Sequence, residues 1–251
     1  MKLAMLKKIY PYLNNNLKHH KWRKLTNAEL DSLMAEKQIV SNCYDVAVRY
    51  SLLNSNKGRE FLKKNLKVSK NLNDINACKI TFNIKNQKKS YKTISDGSKT
   101  LGEMITSTVG KMIKNNPLQK PWISRLGRFG FSKSYEFNKP SNAFHWYTGK
   151  QTISIGENDL NLSLKKRKED VINLLNKLSD QSPKDYSFVA ISSWQKNKLN
   201  GKKIFHCLPI IGVNKDKKTL QIINKRTDEI INVKFEDFIH KFKAIVGINH
   251  K

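Results

Sequence analysis

The last third of the sequence constrains the fold most. From Pro183 onward it reads as strand after strand. SFVAISSW (187–194) leads into a polar loop carrying Asn200-Gly201, a strong hairpin signal. KIFHCLPIIGVN (203–214), a turn at Lys215-Asp216 and TLQIIN (219–224) come next. The closing stretch INVKFEDFIHKFKAIVGIN predicts a strand, a short helix and a last strand. The earlier part of the chain has the opposite character. TNAELDSLMAEK (26–37) predicts a short helix, with Thr26 as cap and Glu29 at capping-box spacing. In QIVSNCYDVAVRYSLLN (38–54), a loop runs into a helix at Cys43, and Cys43, Val46, Ala47, Tyr50 and Leu53 share one face. Residues 58–70 give a second helix or its tail. LGEMITSTVGKMI (101–113) carries Leu101, Met104, Ile105, Val109 and Met112 in phase and ends before Pro117. Residues 159–179 predict a helix with Val171, Leu174, Leu175 and Leu178 in phase. Two stretches interrupt the helices. Cys78–Ile94 alternates as two strands around a polar turn, and FHWYTGKQTISI (144–155) reads as a strand, a turn at Gly149 and another strand. Residues 122–142 read as a long loop rich in Gly, Ser, aromatics and Arg. Helices first and an antiparallel sheet last make the fold class α+β.

Composition bounds the function. Hydrophobic residues make up 38% of 251, too much for a disordered chain and enough for one large domain or two small ones. With 48 Lys+Arg against 20 Asp+Glu, the formal charge of +28 attracts polyanions: nucleic acid, anionic membrane or acidic protein. The lysines are scattered and rarely interleaved with aromatics, so most of this charge reads as solvated surface, with no specific nucleic-acid site. Three cysteines without a CxxC argue against a disulfide framework and a structural zinc site, and no cofactor or metal is expected. No apolar run approaches the ~18 residues of a membrane span, and MKLAMLKKIYPYL lacks the core and cleavage site of a secretory signal. Synthesis in a reducing cytoplasm is expected, with signal-independent export left open.

Three residues point to chemistry. Ser41 and Asn42 are good caps, which places the Cys43 sulfur in a helical first turn, beside free N–H groups and a positive dipole end. A thiol there tends toward the reactive thiolate. Gln38 has the chemistry of an oxyanion donor, as has the Cys43 backbone N–H. The plain alternative is a buried cysteine on an ordinary helix. His206 stands on a predicted strand, and Asn224 ends the next one. Adjacent antiparallel strands bring such side chains together, and an amide oxygen beside an imidazole orients it as a general base for a thiol. His145, with Asn158 or Asp159 beside it, is a rival base. His240 reads as a surface residue and His19 and His20 as part of a basic arm. Cys207 is expected to face away from His206, since neighbours on a strand alternate.

The ordered set resembles the protease core of the calpain family. Gln38…Asn42-Cys43-Tyr44 is similar to its oxyanion glutamine and Asp-Cys-Trp segment, and LGEMITSTVGKMIKNN (101–116) to the helix after its first ribbon. AFHWYTGKQTISI (143–155) resembles its Leu-Thr-Gly-Gly segment, and FHCLPIIGV (205–213) and IIN (222–224) its histidine strand and asparagine. VKFEDFIHKFKAIVGIN (233–249) resembles its closing motif. Two departures stand out. One residue fewer separates Gln38 from Cys43, and Lys225-Arg226 replace the Trp-Gly that follows the family's asparagine. The resemblance implies a papain-like fold. An N-terminal, mainly helical subdomain (about 26–140) carries the cysteine, and a C-terminal antiparallel β-sheet subdomain (about 141–251) carries the histidine and asparagine, after a basic arm at 1–25. It implies Cys43 as nucleophile, His206 as base and acid, Asn224 as orienter, and Gln38 with Cys43 as the oxyanion hole. The implied partner is a protein or peptide substrate. The Lys/Asn-rich composition resembles proteins of low-GC bacteria, where lone calpain-like cores resemble secreted effectors acting on host proteins; an intracellular peptidase fits equally. Two other classes compete: a basic module binding nucleic acid or anionic membrane, and a catalytically inactive calpain-like scaffold.

Overall fold

The computed structural model describes residues 21–36, 43–71, 74–95, 99–116, 139–156, 164–192, 195–196, 203–204 and 206–250. The first helix, α1 (Asn27–Ala35), starts with the predicted capping box. The Glu29 N–H donates to the Thr26 hydroxyl, and the Thr26 N–H donates to the Glu29 carboxylate at 2.9 Å. Arg23 reinforces it by donating to both Glu29 oxygens at 2.6 and 2.8 Å, which holds that carboxyl down at about 2. The strand β1 (Arg23–Lys24) pairs with the sheet and Leu25 is buried, so folded structure begins before Thr26, inside the stretch 1–25 expected as a basic arm; residues 1–20 lie outside the described residues.

Helix α2 (Cys43–Leu53) and helix α3 (Asn56–Asn65) follow, joined at Ser55, whose hydroxyl accepts the Gly58 N–H as an N-cap. The segment 58–70 is therefore the body of α3 and then a strand. Strands β2 (Leu66–Asn71), β3 (Asp74–Ile84) and β4 (Gln87–Ile94) complete a four-stranded antiparallel sheet in the order β1-β2-β3-β4. The β3–β4 turn puts Lys85 and Asn86 at φ 48 and 61, the handedness that suits a twisted hairpin. Helix α4 (Leu101–Asn115) has its own capping box, Thr100 with Glu103, and buries the predicted Met104, Ile105, Val109 and Met112.

The stretch expected to begin as a strand at Phe144 is helix α5 (Pro140–Thr148). Pro140 opens it in the first turn, where a missing N–H costs nothing. Gly149, at φ 71, closes it by donating its N–H to the His145 carbonyl at 2.8 Å. Strand β5 (Ile153–Ile155) follows.

Helix α6 (Leu164–Ser179) leads into β6 (Tyr186–Ser192), the short pair β7 (Gln195–Lys196) and β8 (Lys203–Ile204), then β9 (Cys207–Asn214), β10 (Thr219–Asn224) and β11 (Glu229–Lys234). The chain closes with α7 (Phe238–Lys241) and β12 (Phe242–Asn249), as the sequence predicts. The hairpin tip at Asn200-Gly201 lies outside the described residues. The larger sheet is antiparallel, in the order β11-β10-β9-β6-β12-β5. It is buried on both faces. Phe188, Ala190, Leu208, Ile210 and Ile245 meet α6 and α7. Val189, Ile191, Cys207, Ala244, Val246 and Ile248 face the core that also holds α2 and α5.

Helix α2 lies at the centre of that core and is buried nearly all round. Tyr44, Ala47, Val48, Leu52 and Leu53 are apolar and buried, while Cys43, Val46 and Tyr50, three members of the predicted face, stay half-buried. The buried charges of the helix are paired inside the core. Arg49 Nε donates to Asp45 Oδ2 at 3.1 Å, and the Tyr147 hydroxyl donates to Asp45 Oδ1 at 2.7 Å. The architecture is α+β, with helices packed between and around two antiparallel sheets. No described helix is long and apolar enough to cross a membrane.

Candidate active site

Cys43 is the first residue of α2, so its sulfur sits where helical N–H groups have no carbonyl partner. Its own N–H and that of Tyr44 point at the sulfur. A third donor comes from far along the chain, the N–H of Cys207 at the start of β9. Cys43 and the residue next to His206 are thus in contact across the interface of α2 with the large sheet. Burial pushes the Cys43 thiol above its ordinary value; the three N–H groups and the Arg226 guanidinium pull the other way without overcoming it. Cys78 and Cys207 are fully buried, Cys78 with its thiol pushed up to about 12 by burial, whereas Cys43 retains exposure.

His206 precedes β9 and is clamped through its backbone. Its N–H donates to the Ser192 hydroxyl and its carbonyl accepts the Ser192 N–H, both at 2.8 Å. The side chain is half-buried. Burial and then the Arg226 charge lower its pKa, which keeps the imidazole in its neutral, proton-accepting form while weakening it as a base. Cys207 turns into the core, as alternation predicts.

Asn224 ends β10 but does not meet His206. Its side-chain oxygen accepts the Arg226 N–H at 3.1 Å, and its carbonyl accepts the N–H groups of Thr227 and Asp228. The carboxamide closes the β10–β11 turn, and among the described residues it makes no hydrogen bond with the imidazole. The strand register explains this. Ile222 pairs with Ile210 after a bulge at Ile211, and carrying that register to the end of β10 sets Asn224 beside Leu208 and not His206; Arg226, in the turn that follows, is near enough for its charge to act on the imidazole. The bulge itself is held by α2's end, where the Asn54 carboxamide donates to the Ile211 carbonyl at 3.2 Å.

Arg226 is the residue sequence reasoning missed. The only signal was its position two residues past Asn224. Its exposed guanidinium acts on both Cys43 and His206. The turn carrying it is tied down by Lys225, whose ammonium donates to Asp228 at 2.6 Å and lies 4.7 Å from the Tyr50 ring centre on α2. The rival base His145 sits on α5, and its suggested partners Asn158 and Asp159 lie outside the described residues, as do Gln38, Ser41, Asn42, His19 and His20. No group of three or more His, Cys, Asp or Glu able to hold a metal ion occurs among the described residues. No protein-family model matches the chain, and no curated protein matches it.

Proposed function

We propose that this chain is a cysteine peptidase of papain-like architecture, acting by thiol acyl transfer on a protein or peptide substrate. One observation carries the reading: the half-buried Cys43 at a helix N-terminus receives the backbone N–H of the residue following His206, although the two come from opposite ends of the sequence. The calpain-like order of motifs is the second support.

In this mechanism the pair rests as neutral thiol and neutral imidazole, the forms that burial favours at both groups. His206 takes the Cys43 proton as the sulfur attacks the substrate carbonyl carbon. The amine leaves with that proton, and water attacks the thioester with His206 as base, releasing acid and free thiol. N–H groups at the first turn of α2, with Gln38, are the proposed oxyanion donors. Asn224 acts as a positioning residue through the turn that holds Arg226 beside the pair.

A second reading, a catalytically silent scaffold, is favoured by the engagement of Asn224 in its turn instead of with His206. A papain-class epoxide inhibitor separates the two, with adducts mapped by mass spectrometry. Catalysis predicts rapid labelling confined to Cys43 and reduced at least tenfold in His206→Ala. Labelling no faster than a free thiol, or unaffected by His206→Ala, selects the scaffold.

A further inference from the structure

The smaller sheet carries a feature that the peptidase reading does not use. Along β3, Cys78, Ile80, Phe82 and Ile84 enter the core, so the residues between them face outward. On that outward face Lys24 pairs with Lys67, Lys67 with Lys79, and Lys79 with Lys92. Four lysines therefore stand in one unbroken row across all four strands, about 14 Å long at ordinary strand spacing. The next outward pair, Thr81 with Ser90, is hydroxyl on hydroxyl at 2.9 Å, and the pair after that sets Lys88 opposite Asn83, whose carboxamide donates to the Trp146 carbonyl at 3.1 Å. No carboxylate stands among these positions. Like charges directly opposite one another weaken a sheet, so the row works against folding unless an anion neutralises it.

On the other side of the row lies Trp22. One step beyond the pairing of Arg23 with Val68, it falls beside Ser69, which pairs with Ala77; both are buried on this outward face. Its ring reaches Lys92, whose ammonium is 5.6 Å from the centroid. A lysine row flanked by hydroxyls and an indole suits a phosphodiester backbone with bases stacking beside it. It suits a membrane poorly. The exposed large hydrophobics among the described residues are Ile153 and Ile230, both in the other sheet, so this face offers a bilayer only the half-buried Trp22 and Ile94.

We propose that the outer face of the four-stranded sheet binds the backbone of single-stranded nucleic acid, without sequence preference, through Lys24, Lys67, Lys79 and Lys92 with Trp22 alongside. The inference is independent of the chemistry at Cys43.

The test is fluorescence anisotropy of a labelled dT20 oligonucleotide against the full chain across a salt series. The variants are Lys67→Gln/Lys79→Gln and, as a control of equal charge loss, Lys165→Gln/Lys217→Gln, exposed residues away from the row. Loss of two phosphate contacts weakens binding roughly tenfold at 0.15 M salt and flattens the log–log salt slope by about 1.4. The control should lose less than about threefold. The row variant should melt no lower than wild type, since repulsion is relieved, and Cys43 labelling should be unchanged. Equal losses in both variants would make the binding a property of net charge and overturn the proposal. So would a row variant that binds dT20 normally but loses affinity for phosphatidylserine vesicles, which would assign the face to membrane.

Discussion

Cys43 is held between opposing influences, and their balance makes a specific prediction about Arg226. Burial drives the thiol toward its protonated form, while the guanidinium of Arg226 favours the thiolate and disfavours the imidazolium of His206. Removing that cation raises both pKa values: the thiol moves further up, and the imidazole returns toward its ordinary value. In Arg226→Ala the alkylation rate of Cys43 at neutral pH should therefore fall, by roughly twofold to fivefold for an exposed and screened charge. The alkaline limb of the pH–rate profile should shift to higher pH. A salt series supplies the internal control, because the wild-type advantage should shrink as ionic strength rises. An unchanged profile in Arg226→Ala would remove Arg226 from the site. The helix start at Cys43 was legible from its local pattern, whereas His206, read within one strand over 203–214, stands just before β9. The partner of His206 was not legible. A turn confined to Lys215-Asp216 would set Asn214 against Lys217, but the turn spans 215–218 and Asn214 meets Thr219. The longer turn moves the register by two residues and the Ile211 bulge moves it back by one, and Asn224 closes the next turn instead of meeting His206. Turn length and bulges are set by tertiary contacts such as that from Asn54, which no local pattern encodes.

At the scale of elements, α2 depends on a partner that sequence reading misassigned. The aromatic run AFHWYT has strand-like composition, and that outweighed the helix signals present at Pro140 and Gly149. As a helix, α5 points Tyr147 at Asp45 inside the core. As a strand it would have alternated Phe144, Trp146 and Thr148 against Tyr147. Burial and the neighbouring Asp45 carboxylate hold the Tyr147 phenol well above its ordinary pKa, so it remains a donor. With Arg49, it satisfies a carboxylate that water does not reach. Tyr147→Phe keeps the ring and deletes one donor, leaving Asp45 Oδ1 short of a bond in a dry site. The expected cost is about 1–3 kcal/mol of unfolding free energy, read by urea denaturation. Arg49 retains its own bond, so the loss should stay below that of deleting the ion pair. The elements that were read correctly, α1, α4, the β3–β4 hairpin and β11–α7–β12, carry their signals locally, in capping boxes, alternation and turn residues. The face of α2 was misjudged because a helix enclosed on all sides has no single apolar stripe to read.

For the whole molecule, the question is what fastens the helical half to the large sheet besides apolar packing. At the end of β12, His250 inserts its ring between the two. Its Nε2 lies 2.9 Å from both the Ser55 hydroxyl, at the α2–α3 junction, and the Ser187 hydroxyl, on β6. Those hydroxyls lie 2.9 Å from each other and reach the Leu52 and Ser51 carbonyls at 3.1 and 3.0 Å, so when they donate to those carbonyls Nε2 carries the proton as the shared donor. Nδ1 is buried and has no hydrogen-bond partner among the described residues. Protonation would place an N–H at Nδ1 with nothing to accept it. Burial, followed by the nearby Lys150 charge, accordingly lowers the His250 pKa to about 4. A histidine depressed in the folded state binds its proton more readily when unfolded. Its contribution is therefore whole above about pH 6.5 and is lost as the pH falls through that value toward 4. His250→Ala should cost about 1–3 kcal/mol at pH 7, where the latch is intact. The gap from wild type, measured by urea unfolding at pH 7, 5.5 and 4, should narrow at each step, because acid has already weakened the wild-type latch. A gap that stayed constant would mean that His250 acts through packing against Phe61, whose ring centre is 6.1 Å away. A gap that widened would mean that the imidazolium is the favoured form, against the burial and the unpartnered Nδ1 that set its direction here.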